Sequence, residues 1–172
     1  MSDDRRVPFD AAAYAERSRS GDCFVCHVAS GASPRREFVV HRDDRHIAFL
    51  PNLHVQRGYV LVAPIEHREG VVEDFTLDDY LALQTVVHAV GRALSLTGPT
   101  ERIYVLSLGS QHGNTHVHWH VVALPPGVPY DKQQFFALMH ETQGVLDLTD
   151  DERSELANQL RGKIATELHA PT

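Results

Sequence analysis

Residues 114–124 read NTHVHWHVVAL, and histidine stands at every second position in it, as His116, His118 and His120. Alternate side chains of a β-strand project from one face, so a strand here brings the three imidazoles together. The residues between them are apolar and must pack on a second layer, whereas three adjacent polar rings make a poor core. The stretch therefore predicts a strand with a functional site on its histidine face.

The three imidazoles fit two kinds of chemistry. Three histidines can hold a catalytic zinc that keeps one position open. However, same-face neighbours on a strand lie about 6.5–7 Å apart, and a metal draws its ligands to about 2.1 Å. Alternatively, one imidazole attacks an electrophile while the others position it. A third interpretation is that the histidines are partly exposed and have no function. The strict alternation of three histidines disfavours it.

The surrounding sequence predicts an α+β fold with one antiparallel sheet of about five strands. One long helix begins after Thr76, where Asp79 completes a pattern similar to a capping box, and extends to about Ser95. Strands, a helix and further strands in this order indicate an antiparallel sheet. Besides the histidine stretch, short apolar runs bounded by turn residues predict strands at 36–43, 45–51, 58–64 and 102–108.

We divide the chain into a peripheral N-terminal segment (1–21), a central domain (22–126) and a C-terminal helical extension (127–172). The extension contains a short helix at 131–141 and a longer one that begins after Thr149. Apolar residues recur at every fourth position of the longer helix and form a narrow seam that must dock on another surface. These residues are Leu156, Leu160 and Ile164.

The charge balance limits the partners that the protein can have. The chain has 16 basic and 23 acidic residues, a net charge of −7, which disfavours general binding to long nucleic acids. A small nucleotide can still bind in a local pocket. The N-terminus is polar and no stretch is long and apolar enough for a membrane span, so we expect a soluble cytoplasmic protein.

Cys23 and Cys26 form a C-x-x-C pair and are the only two cysteines of the chain. In a cytoplasmic protein such a pair binds metal or is redox-active more often than it forms a structural disulfide. No βαβ pattern typical of thioredoxin surrounds it. A zinc site, a redox dithiol and two plain thiols remain open, with zinc favoured.

The stretch HVHWHVV at 116–122 resembles the pattern of the histidine triad (HIT) proteins, H-φ-H-φ-H-φ-φ, in which φ is apolar. Four other segments, in the same order as in that family, extend the resemblance from about Asp22 to Pro125. They are CFVC, VVHRDDRHIAFLP, GYVLVAPIEH and LSLGSQHGNTH. The resemblance implies the HIT fold and a homodimer that pairs through the long helix and a sheet edge.

The resemblance also implies a nucleotide hydrolase or nucleotidyl transferase. His118 is then the nucleophile that attacks the α-phosphate of a nucleoside phosphoramidate, a dinucleoside polyphosphate or a related nucleotide, forming a nucleotidyl-histidine. Such covalent catalysis divides one difficult displacement into two easier steps. His120 lies beside the phosphate and donates hydrogen bonds to it. The resemblance further implies that the loop before the triad binds phosphate and that four side chains contact substrate: Asn52, Ser107, Asn114 and Thr115.

Several positions depart from the family pattern. Tyr59 replaces the histidine of a common Gly-His pair, Ser107 replaces an asparagine, and His112 replaces a glutamine. Pro51 or Asn52 stands where an aspartate usually meets the ribose. These departures motivate a second hypothesis, a nucleotide-binding module without turnover. A third is a metal-dependent hydrolase that uses the three histidines as one metal site.

Some HIT proteins hold a structural zinc with two cysteines and two histidines. The resemblance carries this ligand set to Cys23, Cys26, His67 and His116. Zinc is thus the expected cofactor, closed to substrate, and His116 turns away from its two neighbours. His118 and His120 are then left for the phosphate.

Overall fold

Five antiparallel strands form the main sheet of the computed structural model, which describes residues 5–19, 22–108 and 114–170. Their order across the sheet is β2-β3-β4-β6-β5, and a separate two-stranded ribbon pairs β1 with β7. The predicted α+β fold, with one sheet of about five strands, is confirmed. The strands are β1 (Arg6–Val7), β2 (Val39–Arg42), β3 (His46–Phe49), β4 (Tyr59–Pro64), β5 (Arg102–Ser107), β6 (Trp119–Leu124) and β7 (Val145–Leu146).

The described helices include the predicted long helix and the predicted C-terminal helix, and none of them is long and apolar enough to cross a membrane. At the start of the C-terminal helix, Thr149 and Glu152 form a complete capping box. The helices are α1 (Ala11–Arg19), α2 (Phe24–Ser30), α3 (Leu77–Ser95), α4 (Phe135–Leu138), α5 (His140–Gln143) and α6 (Asp150–Leu168).

The prediction of a single helix at 131–141 is wrong in detail. A 3-10 turn (Tyr130–Lys132) precedes α4 and α5, and all three elements are short. Gln134 has a φ of +53°, which lies in the left-handed region and cannot continue a helix. The segment therefore folds as three short helical turns that change direction rather than as one continuous helix.

The two faces of the sheet have different roles. Val60 and Val62 of β4 pack in the core beneath α3, whereas Tyr59 and Leu61 point to the opposite face, beside α2. In β6, Trp119 likewise lies on the α3 side. This period of two is the expected alternation of a strand, and it leaves the second face for the histidines.

The histidine stretch is extended, but only its second half belongs to the sheet. β6 begins at Trp119, which is the first residue of the stretch that pairs with both neighbouring strands, opposite Ser107 in β5 and Val62 in β4. Before this point the N–H of Val117 donates to the Arg68 carbonyl oxygen at 2.7 Å. His120 therefore lies on a hydrogen-bonded strand, while the two preceding histidines lie on the segment that enters it.

The seam of α6 docks on the core that α3 and β2 form. Leu160 and Ile164 are fully buried, and Leu156 is 7% exposed. Helix α6 thus covers the face of the sheet opposite to the histidines.

Replacing Leu160 with alanine is expected to lower the free energy of unfolding by about 3 kcal/mol, because the lost side chain leaves a cavity in the core. Urea unfolding measures this change. Leu96→Ala is the matched control, since Leu96 is 55% exposed just after the end of α3. A loss at Leu160 no larger than that of the control would mean that α6 does not stay docked in solution.

Candidate active site and metal centre

A cavity of about 660 Å³ lies on the second face of the sheet, beside His118 and His120. Its floor is the sheet, and α2 provides one wall. Further wall residues come from the two segments that flank the region of the HIT resemblance. From the N-terminal end these residues are Phe9, Tyr14, Arg17 and Ser18, and from the C-terminal end they are Leu138, Met139, His140 and Glu141.

His118 has a defined tautomer. Its Nδ1 lies 2.8 Å from the carbonyl oxygen of His116, and a carbonyl oxygen can only accept a hydrogen bond. Nδ1 therefore carries the proton, and Nε2 keeps an unshared electron pair. Burial lowers the pKa of His118, so the ring is neutral near pH 7. The edge of Phe24 packs against the ring, with 5.2 Å between the ring centroids.

His120 is the neighbour of His118 on the cavity side, with 4.8 Å between the ring centroids. Its Nδ1 is hydrogen-bonded to the hydroxyl of Tyr59. Its Nε2 is buried and has no hydrogen-bond partner in the part of the chain that the structure describes. Burial first, and then repulsion from His118 in its protonated form, lower the pKa of His120 to about 3, so this ring is also neutral near pH 7.

The predicted substrate residues fall into two groups. Asn52 and Asn114 line the cavity. The amide of Asn52 lies 3.5 Å from a carboxylate oxygen of Glu37, and that of Asn114 donates to the Tyr14 hydroxyl at 2.9 Å. Asn114 thus ties α1 to the segment that precedes the triad.

Ser107 and Thr115 do not line the cavity. The hydroxyl of Ser107 donates to the carbonyl oxygen of His118 at 2.9 Å and so holds the backbone of that residue. Thr115 is hydrogen-bonded to the carboxylate of Glu69 on the side of the cysteines. The loop at 109–113, which includes His112 and was expected to bind phosphate, lies outside the described residues.

His116 turns away from the cavity and towards the cysteine pair. Its Nε2 lies 3.0 Å from the carbonyl oxygen of Pro64, so Nε2 carries the proton and Nδ1 is free. Nδ1 lies 3.4 Å from the sulfur of Cys23 and 3.5 Å from that of Cys26. Burial lowers the pKa of His116 to about 4, and a neutral imidazole is the form that binds metals.

His67 completes the cluster in the same way. Its Nδ1 lies 3.4 Å from the sulfur of Cys26, and its Nε2 lies 3.2 Å from a carboxylate oxygen of Glu69. Because the carboxylate of Glu69 accepts a hydrogen bond from the Nε2–H of His67, Nδ1 is left free. A carboxylate behind a histidine is the usual support of a metal-binding imidazole.

These four residues offer ligand atoms that all lie within 4.8 Å of one another: Cys23, Cys26, His67 and His116. Two sulfurs and two imidazole nitrogens are a set that tetrahedral zinc prefers, and four protein ligands leave no position for substrate. Both cysteines are free thiols. Burial first, and then Cys23, raise the pKa of Cys26 to about 11, opposite to the lowered pKa of a redox-active thiol.

The structure also identifies residues that the sequence reasoning missed. Tyr59 was noted only as the absence of a histidine, although its hydroxyl contacts the third triad ring. Glu37 places a half-buried carboxylate in the cavity wall next to Asn52. The position of Tyr59 in a recognisable motif was a signal for the first, whereas no sequence pattern pointed to the second.

No protein-family model matches the chain. A curated relative, an uncharacterised HIT-like protein of Saccharolobus solfataricus, is 28% identical over 103 residues, which span 58% of this chain and 72% of that protein. A zinc-bound histidine triad family protein from Mycobacterium smegmatis is similar in structure, with a TM-score of 0.64 and 23% identity over 84% of this chain and 94% of its own. A hypothetical histidine triad nucleotide-binding protein from Sulfolobus tokodaii has a TM-score of 0.65 and 20% identity, over 84% and 93% of the two chains. The histidine triad resemblance and its fold are confirmed.

Proposed function

We propose, from the histidine triad fold of this chain and the tautomer of His118, that the protein is a nucleotide hydrolase or nucleotidyl transferase. The reaction takes place at the α-phosphate of a nucleoside phosphoramidate, a dinucleoside polyphosphate or a related nucleotide. His118 attacks phosphorus, the leaving group departs, and a nucleotidyl-histidine forms. Water or another acceptor then displaces the histidine.

The observation that carries the proposal is the hydrogen bond from Nδ1 of His118 to the carbonyl oxygen of His116. It directs the unshared pair of Nε2 away from the backbone, and burial keeps the ring unprotonated. A nucleophile needs both properties, because a protonated imidazole has no electron pair to donate. His120 and Asn114 line the same cavity and support the proposed contacts to the phosphate.

The cavity also supports a nucleoside as the group that is transferred. Phe24, Phe49 and Val122 give it an apolar wall on which a flat base can pack, while Glu37 and Asn52 offer polar atoms to sugar hydroxyls. The structures of similar fold include one that is described as nucleotide-binding. These features favour a small nucleotide over a long nucleic acid, as does the net charge of −7.

A structural zinc on the Cys23, Cys26, His67 and His116 cluster is part of the proposal. It is supported by the ligand geometry and by a zinc-bound protein of similar fold. Bound zinc supplies a cross-link between α2 and the segment that enters β6.

The proposal also includes a cytoplasmic location and a homodimer. The dimer is supported by β5, which is an edge strand of the sheet, and by Leu77 and Leu81, which are 71% and 54% exposed on α3. Light scattering should give twice the mass of one chain, and a monomer at micromolar concentration would refute the dimer.

Incubation with a fluorogenic adenosine phosphoramidate and with dinucleoside polyphosphates is expected to release adenosine monophosphate from at least one of them. The measurement is steady-state turnover together with calorimetric binding of adenosine monophosphate. Tight binding without any turnover would instead identify a nucleotide-binding module. The metal-dependent alternative places all three histidines on one ion. It predicts that a chelator stops turnover and that added metal rebinds and restores turnover only when His118 is present.

A further inference from the structure

We infer that Tyr59 is a positioning residue for the reaction: its hydroxyl donates to Nδ1 of His120 and so presents the Nε2–H of His120 to the substrate phosphate. The part that concerns catalysis rests on the proposed function. The part that concerns the His120 tautomer does not.

The contact between the two side chains is built into the sheet. Tyr59 begins β4, and β4 pairs with β6, which carries His120. Tyr59 is only 5% exposed, and its ring stacks on that of His120 with 5.8 Å between the centroids. The hydroxyl of Tyr59 is hydrogen-bonded to Nδ1. The orientation of His120 is therefore defined by its neighbouring strand rather than by solvent.

The direction of this hydrogen bond follows from counting protons. A neutral imidazole has one N–H, and a phenol has one O–H. If Nδ1 donated to the phenol oxygen, the buried O–H of Tyr59 would need another acceptor, and none is present among the described residues. If the phenol donates to Nδ1, only the Nε2–H of His120 still needs an acceptor. The second arrangement leaves fewer buried polar groups unsatisfied.

Nε2 of His120 is the independent sign that a ligand belongs here. It is buried, has no hydrogen-bond partner in the described residues, and lies on a ring that lines the cavity next to His118. An N–H in this state is satisfied by an acceptor that arrives with the substrate, and a phosphate oxygen is a strong one. A donor fixed in advance stabilises negative charge that grows on phosphate oxygens during the attack by His118.

Tyrosine gives this pair a property that a histidine at position 59 would not guarantee. A neutral histidine can either donate or accept at the contact with its ring N–H placed on either nitrogen, whereas the phenol of Tyr59 leaves fewer buried groups unsatisfied when it donates. Burial also raises the pKa of Tyr59, so its proton stays on oxygen. The substitution that departs from the family pattern thus selects one tautomer of His120.

The test compares the wild-type chain with Tyr59→Phe, which keeps the buried ring and removes only the hydroxyl. Long-range proton–nitrogen NMR of the histidine rings is expected to show His120 protonated at Nε2 in the wild type. In Tyr59→Phe, Nδ1 loses its donor, and the two ring-nitrogen shifts of His120 should move towards those of a tautomer mixture. Tyr104→Phe is the matched control, since Tyr104 lies in the same sheet and accepts one hydrogen bond, from the N–H of Gln134 at 3.3 Å.

For turnover, Tyr59→Phe is expected to lower kcat about 10- to 100-fold with little change in KM, because the lost orientation matters most when charge develops. Unchanged His120 nitrogen shifts in Tyr59→Phe, or a wild-type ring protonated at Nδ1, would overturn the inference. If the wild type turns over no nucleotide while the NMR result holds, the proposed function fails and the role of Tyr59 in selecting the tautomer stands.

Discussion

Replacing His118 with alanine is expected to reduce nucleotide turnover by about 10⁴-fold or more, the range seen when an enzyme loses its nucleophile. The physical reason is that His118 is the ring in the cavity whose Nδ1 is fixed by a carbonyl and whose Nε2 is free. Neighbouring rings cannot replace it, because Nδ1 of His116 faces the cysteines and His120 is held by Tyr59. Steady-state rates on an adenosine phosphoramidate measure the loss.

His88→Ala is the matched control for this variant, since His88 is exposed on α3 and far in sequence from the triad. It should keep the wild-type rate. Rapid acid quenching and mass spectrometry of the wild type should also show a nucleotide bonded to the peptide that contains His118. A label on another residue, or an active His118→Ala variant, would remove the basis of the proposed mechanism.

Replacing Cys26 with serine is expected to abolish zinc binding and to lower the free energy of unfolding by about 5 kcal/mol. This is less than the ~10–16 kcal/mol that structural zinc supplies to zinc-finger peptides, because a packed core also holds this fold. For a chain of this size, the melting temperature should fall by about 10–20 °C. Elemental analysis of the purified protein measures bound zinc, and thermal unfolding with and without a chelator measures the change in stability.

Ala29→Ser is the control, because it places a similar hydroxyl in α2 without touching a ligand. This variant should bind about one zinc per chain and melt near the wild-type temperature. In Cys26→Ser the chelator should have no further effect. The metal site would be contradicted if the wild-type protein contained no zinc after expression in zinc-supplied medium. It would also be contradicted if a chelator left its melting temperature unchanged.

The two predictions are linked through His116. Its side chain belongs to the proposed zinc cluster, while its backbone carbonyl accepts a hydrogen bond from the Nδ1–H of His118. Zinc bound at this cluster would therefore hold the acceptor that defines the tautomer of the nucleophile. The proposed zinc would thus support the proposed active site without taking a chemical part in the reaction.

Much of the fold was predictable because it depends on local patterns. Each of these patterns lies within one element: the apolar run of β4, the alternation of the histidine stretch, the Thr76 start of α3 and the Thr149 capping box. The failure at 131–141 was also local: Gln134 adopts a positive φ that its residue type does not favour. The two histidine ligands of the proposed zinc site were available only through the family resemblance, since His67 and His116 are far from the cysteines in the chain.

The sequence by itself determined the α+β class, the shared face of His118 and His120 and the closeness of the two cysteines, because near neighbours in an extended segment or a helix are related by fixed geometry. Only the tertiary structure decided which ring nitrogen of each triad histidine carries the proton. That choice depends on three acceptors or donors from elsewhere in the backbone and sheet: the carbonyl of Pro64 for His116, the carbonyl of His116 for His118, and the hydroxyl of Tyr59 for His120. It also decided that the two ends of the chain wall the cavity, since packing between segments distant in sequence leaves no periodic trace in either of them.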